Sequence, residues 1–372
     1  MPAKFRQSIV LIPVIAVLVL TVFWLSRPAE ALVVYCAHDA VYAQQILDDF
    51  TRQTGLRVEV RFDTEITKSL GLINLIIQER QQPRCDVFWN NELLGMVDLG
   101  EQGLLETHQG SGWNRIPEQF RDAEGKWVGF AARMRVSIFN TKQVAADDET
   151  LSTLMSLEPS RVAIAKPLFG TTLTHYTLMW HLWGPDRLKE WHHDLRLRGI
   201  REVDGNAAVK DVVAMGVCDA GWTDNDDAFV ALDDGQPVQM LPTRVSVINP
   251  AQQKDATQTH ETQADKPEVA KTQIDTPPTS VTICIPNTVG IIKGTRRRAA
   301  AERFVDFLTS AETEIALAKC KARQIPLGPV DTKQLSDDVQ KLAEWSRAGA
   351  DLRPLLPARR ACLEWLKAEY LK

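Results

Sequence analysis

The sequence predicts an α/β protein of two lobes, each a mainly parallel sheet flanked by helices, with extended segments crossing between them. Three observations carry this. From Leu32 to Leu99 short apolar runs alternate with amphipathic stretches in a β-α-β-α-β-α rhythm, the pattern of a parallel sheet with right-handed crossovers. Residues 106–125 then read as loop, and Trp127–Asn140 (WVGFAARMRVSIFN) as two extended pieces. The αβ rhythm restarts at Leu151 and builds a second unit of similar size.

In order, Leu32–Tyr35 is an apolar strand, and a helix over Val41–Thr54 puts Ile46, Leu47 and Phe50 on one face before Gly55 ends it. Leu56–Phe62 alternates as a strand, and Ile66–Arg80 is amphipathic with Ile73, Ile76 and Ile77 inward. Asp86–Trp89 is the third strand and opens through Asn90-Asn91-Glu92 into a helix carrying Leu93, Leu94 and Met96. In the second unit, strand Val162–Ala165 precedes helices over 173–183, 185–195 and 205–215. A brief strand then leads into Gly221–Ala228, GWTDNDDA. Val238–Ile248 is extended, Val281–Ile285 resumes a strand, and helices follow over 295–309 and 312–319. Residues 335–372 form two further amphipathic helices that close the back of either lobe.

The expected divisions are an N-terminal segment 1–31, a first part of lobe 1 over 32–132, lobe 2 with the crossing strands over 133–248, and a return to lobe 1 over 281–334. The C-terminal helices fill 335–372. Residues 249–280 are Gln, Thr, Lys, Asp, Glu and Pro with almost no large apolar side chain, a disordered insertion by composition. Its flanking runs, Val245–Ile248 and Val281–Ile285, are placed to pair as neighbours. Lys4 and Arg6 precede an apolar run from Ile9 to Leu25, and Ala29-Glu30-Ala31 offers a cleavage site. This is an export signal, cleaved or kept as a transmembrane anchor, and it puts the body in the periplasm or otherwise outside the cytoplasmic membrane. A net charge of −5 without a basic stripe interleaved with aromatics argues against nucleic acid. The six cysteines contain no C-x-x-C pair and are expected to be mostly free, buried thiols.

The chemistry gathers at strand ends. GWTDNDDA places Asp224, Asn225, Asp226 and Asp227 where a strand gives way to a helix, the position at which open α/β sheets bind ligands. Capping accounts for one or two of these residues; the others invite a cation, a polar ligand or a basic partner. His38-Asp39, Asn91-Glu92 and Thr171-Thr172 occupy the same kind of junction elsewhere, so four polar junctions would line one interdomain cleft. Arg133 and Arg135 alternate on the crossing segment and would offer guanidinium forks to a carboxylate, phosphate or carbonate. Trp222, like Trp89, lies beside an acidic junction, where an aromatic face suits an organic cation such as a polyamine, or it is core. His192-His193 is expected on the exposed polar surface. No phosphate loop, H-E-x-x-H or G-x-S-x-G is present, and no nucleophile–base pairing is visible. The chain is therefore expected not to be an enzyme, with metal-assisted hydrolysis by the acids and His38 the least favoured reading.

The segments VVYCAHD, CDVFWNNE, EGKWVGFAARMRVSIFNT, KPLFGTT, GWTDNDDA and IPNTVGIIKG together resemble the extracellular solute-binding proteins of ABC importers, in their ferric-ion-binding branch. The resemblance implies a periplasmic-binding-protein-like fold that closes like a hinge on its solute and delivers it to a membrane permease; the chain itself is expected to be a monomer. The resemblance also implies an Fe³⁺ cargo held with a synergistic anion. The branch commonly uses two adjacent tyrosines in the second lobe, and that position falls on Asn225–Asp227 here. Asp226 and Asp227 keep hard oxygen ligands without phenolate selectivity. His38 or Asp39, and Asn91 or Glu92, match the first-lobe ligand region.

Overall fold

The computed structural model of the chain describes residues 31–63, 70–247 and 280–371. The expected export segment and nearly all of the insertion lie outside these residues. Among the described residues, no helix is long and apolar enough to cross a membrane.

Lobe 1 begins with strand β1 (Leu32–Cys36), helix α1 (Ala40–Thr54), β2 (Val58–Phe62), α2 (Leu70–Gln78), β3 (Val87–Asn90) and α3 (Leu94–Glu101). β1 lies between β2 and β3, parallel to both. α1 buries the face its spacing predicts, with Ile46, Leu47 and Phe50 inward, and α2 buries Ile73 and Ile76 as expected together with Leu72, while Ile77 is only partly buried. The short pair β4 (Leu105–Glu106) and α4 (Ser111–Arg115) occupies what the sequence presents as loop.

The crossing segment is one strand, β5 (Val128–Asn140), rather than two pieces, and all thirteen of its residues are buried. Its first half pairs with β12 (Cys284–Ile292), and its second half pairs with β8 (Ala220–Asp224) and β9 (Val238–Pro242). A strand covered by one lobe and then the other has no solvent face, which is why its apolar residues do not alternate cleanly with polar ones. At the crossing point Ala131 adopts φ 40°, and Ala132 exchanges two 2.8 Å hydrogen bonds with Ile325 on a returning segment.

Lobe 2 adds α5 (Asp148–Leu157), β6 (Val162–Ala165), α6 (Gly170–Trp183), α7 (Pro185–Leu197), β7 (Arg201–Val203), α8 (Asn206–Ala214) and α9 (Asn225–Asp233). β6 runs parallel to both β7 and β8. β10 (Arg244–Ser246) and β11 (Ser280–Thr282) pair antiparallel with Val245 opposite Val281, as expected of the runs flanking the insertion. α10 (Arg298–Leu308) and α11 (Ala311–Lys319) return to lobe 1, and α12 (Asp337–Ser346) and α13 (Leu356–Tyr370) follow. The six cysteines are unpaired, and all but the partly exposed Cys320 are buried.

His192 corrects the expectation of an exposed surface histidine. It is 1% exposed, with the Tyr176 hydroxyl 3.0 Å from Nδ1 and the Tyr370 hydroxyl 3.0 Å from Nε2. The spacing Leu188, His192, Leu195 marks the inward stripe of α7. Burial, helped by Arg196 and His193, lowers its pKa from 6.5 to about 4. The unfolded chain therefore binds the proton first, so this residue's contribution to stability is full above pH 6.5 and is lost as pH falls toward 4. Denaturation between pH 7 and 4 should show an acid loss to which His192 contributes at most ~3 kcal/mol. His192→Gln should flatten that limb, and an unchanged slope would refute the assignment.

Candidate functional site

The two arginines of β5 point to one face, as their alternation requires, and divide between the lobes. Arg135 lies opposite Asp224 across the β5–β8 ladder, and its Nη1 donates to Asp224 Oδ1 at 2.8 Å. Asp224 Oδ2 accepts from Thr171 Oγ1 at 2.6 Å and from Asn206 Nδ2 at 2.9 Å. Thr172 donates to Asn206 Oδ1 at 3.1 Å. This group joins β5, β8, α6 and α8 with both ions buried.

Arg133 faces the cleft. Its Nη2 donates to the Asn91 carbonyl of lobe 1 at 2.8 Å, and its Nη1 lies 3.4 Å from Asp226 Oδ2 in the first turn of α9. Burial works against the guanidinium charge, but Asp226, Asp224 and Asp39 outweigh it and hold its pKa above the usual value. For Asp226 burial comes first and raises the pKa. Arg133 opposes this, while Asp224 and Asp39 add to it. Its side chain keeps one short-range partner besides Arg133, the Asp227 amide at 3.1 Å.

Carboxylate oxygens of Asp224, Asp226 and Asp227 lie within 4.8 Å of one another. Asp224 is committed to Arg135, whereas Asp226 meets Arg133 at 3.4 Å and the partly exposed Asp227 accepts from Thr223 Oγ1 at 3.4 Å. Asn225 serves the hinge instead. Its Oδ1 accepts from the Met134 amide at 2.8 Å and its Nδ2 donates to the Ala322 carbonyl at 3.1 Å, tying α9 to two crossing segments.

From lobe 1, His38 is held at both ring nitrogens. Nδ1 accepts from the Asp39 amide at 2.7 Å, and Nε2 lies 2.8 Å from the Gln324 side-chain amide. Asp39 stands partly exposed at the start of α1. Glu92 turns away from the cleft and accepts from the Leu94 and Gly95 amides, both at 2.7 Å, which fixes the start of α3. Trp222 packs inward, 5.9 Å from Trp191 at 26° and 4.5 Å from His175. Trp89 is fully buried, so neither tryptophan presents a face to a solute.

Tyr42 is the residue sequence reasoning missed. It sits half-buried in the first turn of α1, 6.1 Å ring to ring from His38. Burial and then the charges of Asp226, Cys320, Asp39 and Asp227 push its phenol up to about 12, which places it among acids of both lobes. The legible signal was its i+3 spacing from Asp39, which puts the two on one helix face.

Two lobes joined by shared crossing strands, with polar side chains of both meeting at Arg133, define a solute-binding protein architecture. The chain belongs to the bacterial extracellular solute-binding proteins, whose family model matches residues 32–319. This is a family of binding proteins, not of enzymes. The chain is 25% identical over 314 residues to the major ferric iron-binding protein of Neisseria meningitidis serogroup B, covering 82% of this chain and 83% of that protein. The apo ferric ion-binding protein A of Pasteurella haemolytica superposes with a TM-score of 0.71 at 17% identity, covering 92% of this chain and 98% of that one. The periplasmic binding protein AfuA of Actinobacillus pleuropneumoniae, solved with fructose-6-phosphate bound, superposes with a TM-score of 0.68 at 18% identity, covering 91% and 98%.

Proposed function

We propose that the protein is the extracytoplasmic solute-binding component of an ABC importer and that its cargo is ferric iron or another hard cation, passed to a membrane permease by a monomer. One observation carries the choice of a cation. Asp226, Asp224 and Asp39 act on Arg133, Asp224 also pairs with Arg135, and Asp227 lies within 4.8 Å of Asp224 and Asp226, so four carboxyls gather about two guanidiniums with a formal excess of two negative charges. Hard oxygen donors suit Fe³⁺, and the ferric iron-binding relative points the same way.

Asp226 and Asp227 from lobe 2, with Asp39 and the Tyr42 phenol from lobe 1, are the proposed ligands. His38 and Asn91 hold the lobe 1 wall of the cleft. Arg133 is the proposed contact of a synergistic anion, since its Nε is buried and has no hydrogen-bond partner. The polyamine reading loses its motivation with Trp222 and Trp89 in the core.

Among the described residues, Tyr42 is the tyrosine whose hydroxyl makes no hydrogen bond; Tyr35 donates to Glu79, and Tyr176 and Tyr370 meet His192. Titrating the exported body with Fe³⁺-citrate should give saturable binding at micromolar metal. It should also give a phenolate-to-iron absorption band that disappears in Tyr42→Phe. Absence of any binding would reject the iron reading. Binding with the band retained in Tyr42→Phe would reject Tyr42 as a ligand.

A further inference from the structure

We propose that α13 is a strap between the two lobes, one end of which must release for the cleft to open, so that this helix sets the balance between closed and open forms. The first half of α13 is fastened to lobe 1. Arg360 Nη2 donates to Asp98 at 2.6 Å and to Glu101 at 3.2 Å, both on α3. The buried Arg359 guanidinium lies 4.0 Å from Glu92. The second half is fastened to lobe 2. Arg196 donates to Glu369 at 2.6 Å, the Tyr370 hydroxyl meets His192 and Glu202, and the Trp365 ring lies 5.7 Å from Trp180 and 5.4 Å from His192.

Between these ends the contact is apolar. Leu355, Leu363 and Leu366 belong to one buried cluster that also holds Leu94 and Met96 of lobe 1 and Leu173 and Tyr176 of lobe 2. A hinge motion about β5 and β12 moves α3 relative to α6. A straight helix of fifteen residues cannot follow both.

The weaker end is at lobe 1. Arg360 is half-exposed, and ion pairs of that kind contribute little in water. The lobe 2 end is anchored by tilted and edge-on aromatic contacts of Trp365 and Tyr370 with Trp180 and the buried His192. Release at Arg359 also bears on the cleft directly, because Glu92 follows Asn91, whose carbonyl holds Arg133. None of this depends on which solute the protein carries.

The test uses the exported body in a Cys320→Ser background, which removes the partly exposed native thiol, with Asp98→Cys and Arg360→Cys joined by a short bismaleimide. Small-angle scattering of the solute-free protein should give a smaller radius of gyration after cross-linking than before. Arg360→Glu, which sets like charges against Asp98 and Glu101, should give a larger radius than the parent at an unchanged melting temperature. Equal radii with and without the cross-link overturn the proposal. So does an Arg360→Glu protein no more open than its parent.

Discussion

Asp224→Ala should lower the unfolding free energy by about 3–5 kcal/mol, the cost of removing one member of a buried ion pair. The substitution leaves the Arg135 guanidinium, which is fully buried, without its carboxylate. It also strips Thr171 Oγ1 and Asn206 Nδ2 of an acceptor. The penalty is thus mainly that of an uncompensated charge, and Arg135→Met in the same chain should return a large part of it. Urea denaturation of the two single variants and the double variant measures this as a cycle. A loss below about 1 kcal/mol for Asp224→Ala, within the range of ordinary surface changes and single hydrogen bonds, would show that the network is not what joins β5 to lobe 2.

That Asp224 pairs with Arg135 and Asp226 with Arg133 could not be read from GWTDNDDA. Four consecutive acid or amide side chains look alike in sequence, and their roles are assigned by the register of β8 on β5. That register sets Asp224 opposite Arg135 and leaves the next three residues to begin a helix. Register depends on a partner some ninety residues away, and local periodicity carries no record of it. What periodicity does carry was legible. The alternation of Arg133 and Arg135 put both on one face, and the apolar stripe of α1 named Ile46, Leu47 and Phe50 as buried.

The same physics explains the misplacements. Trp222 stands two residues before Asp224 on one strand and so shares its face, but farther from the strand end that face is covered by Trp191 and His175. Glu92 is close enough to the start of α3 to take two of its free amides, and that local use prevails over a distant ligand. The i+3 spacing put Tyr42 beside Asp39, but its nearness to Asp226 and Asp227 was not legible, because those acids reach it only once the lobes are folded together.

Asp226→Asn should have the opposite signature to Asp224→Ala: solute binding weakened by at least about 100-fold, taken here as a loss of roughly 3 kcal/mol, with little change in stability. Burial is the largest influence on the Asp226 carboxyl and it disfavours the charged form, so the native side chain is held at a cost that the neutral amide does not incur. An asparagine retains the acceptor for the Asp227 amide. Arg133 keeps the Asn91 carbonyl at 2.8 Å and the nearby charges of Asp224 and Asp39. The unfolding free energy should therefore stay within about 1 kcal/mol of the parent, while the cleft loses a negative oxygen donor that a hard cation requires. Fe³⁺-citrate titration paired with urea denaturation separates the two quantities. A protein that binds as before would remove Asp226 from the solute site. A protein that binds poorly only because it is several kcal/mol less stable would make Asp226 a second structural acid like Asp224.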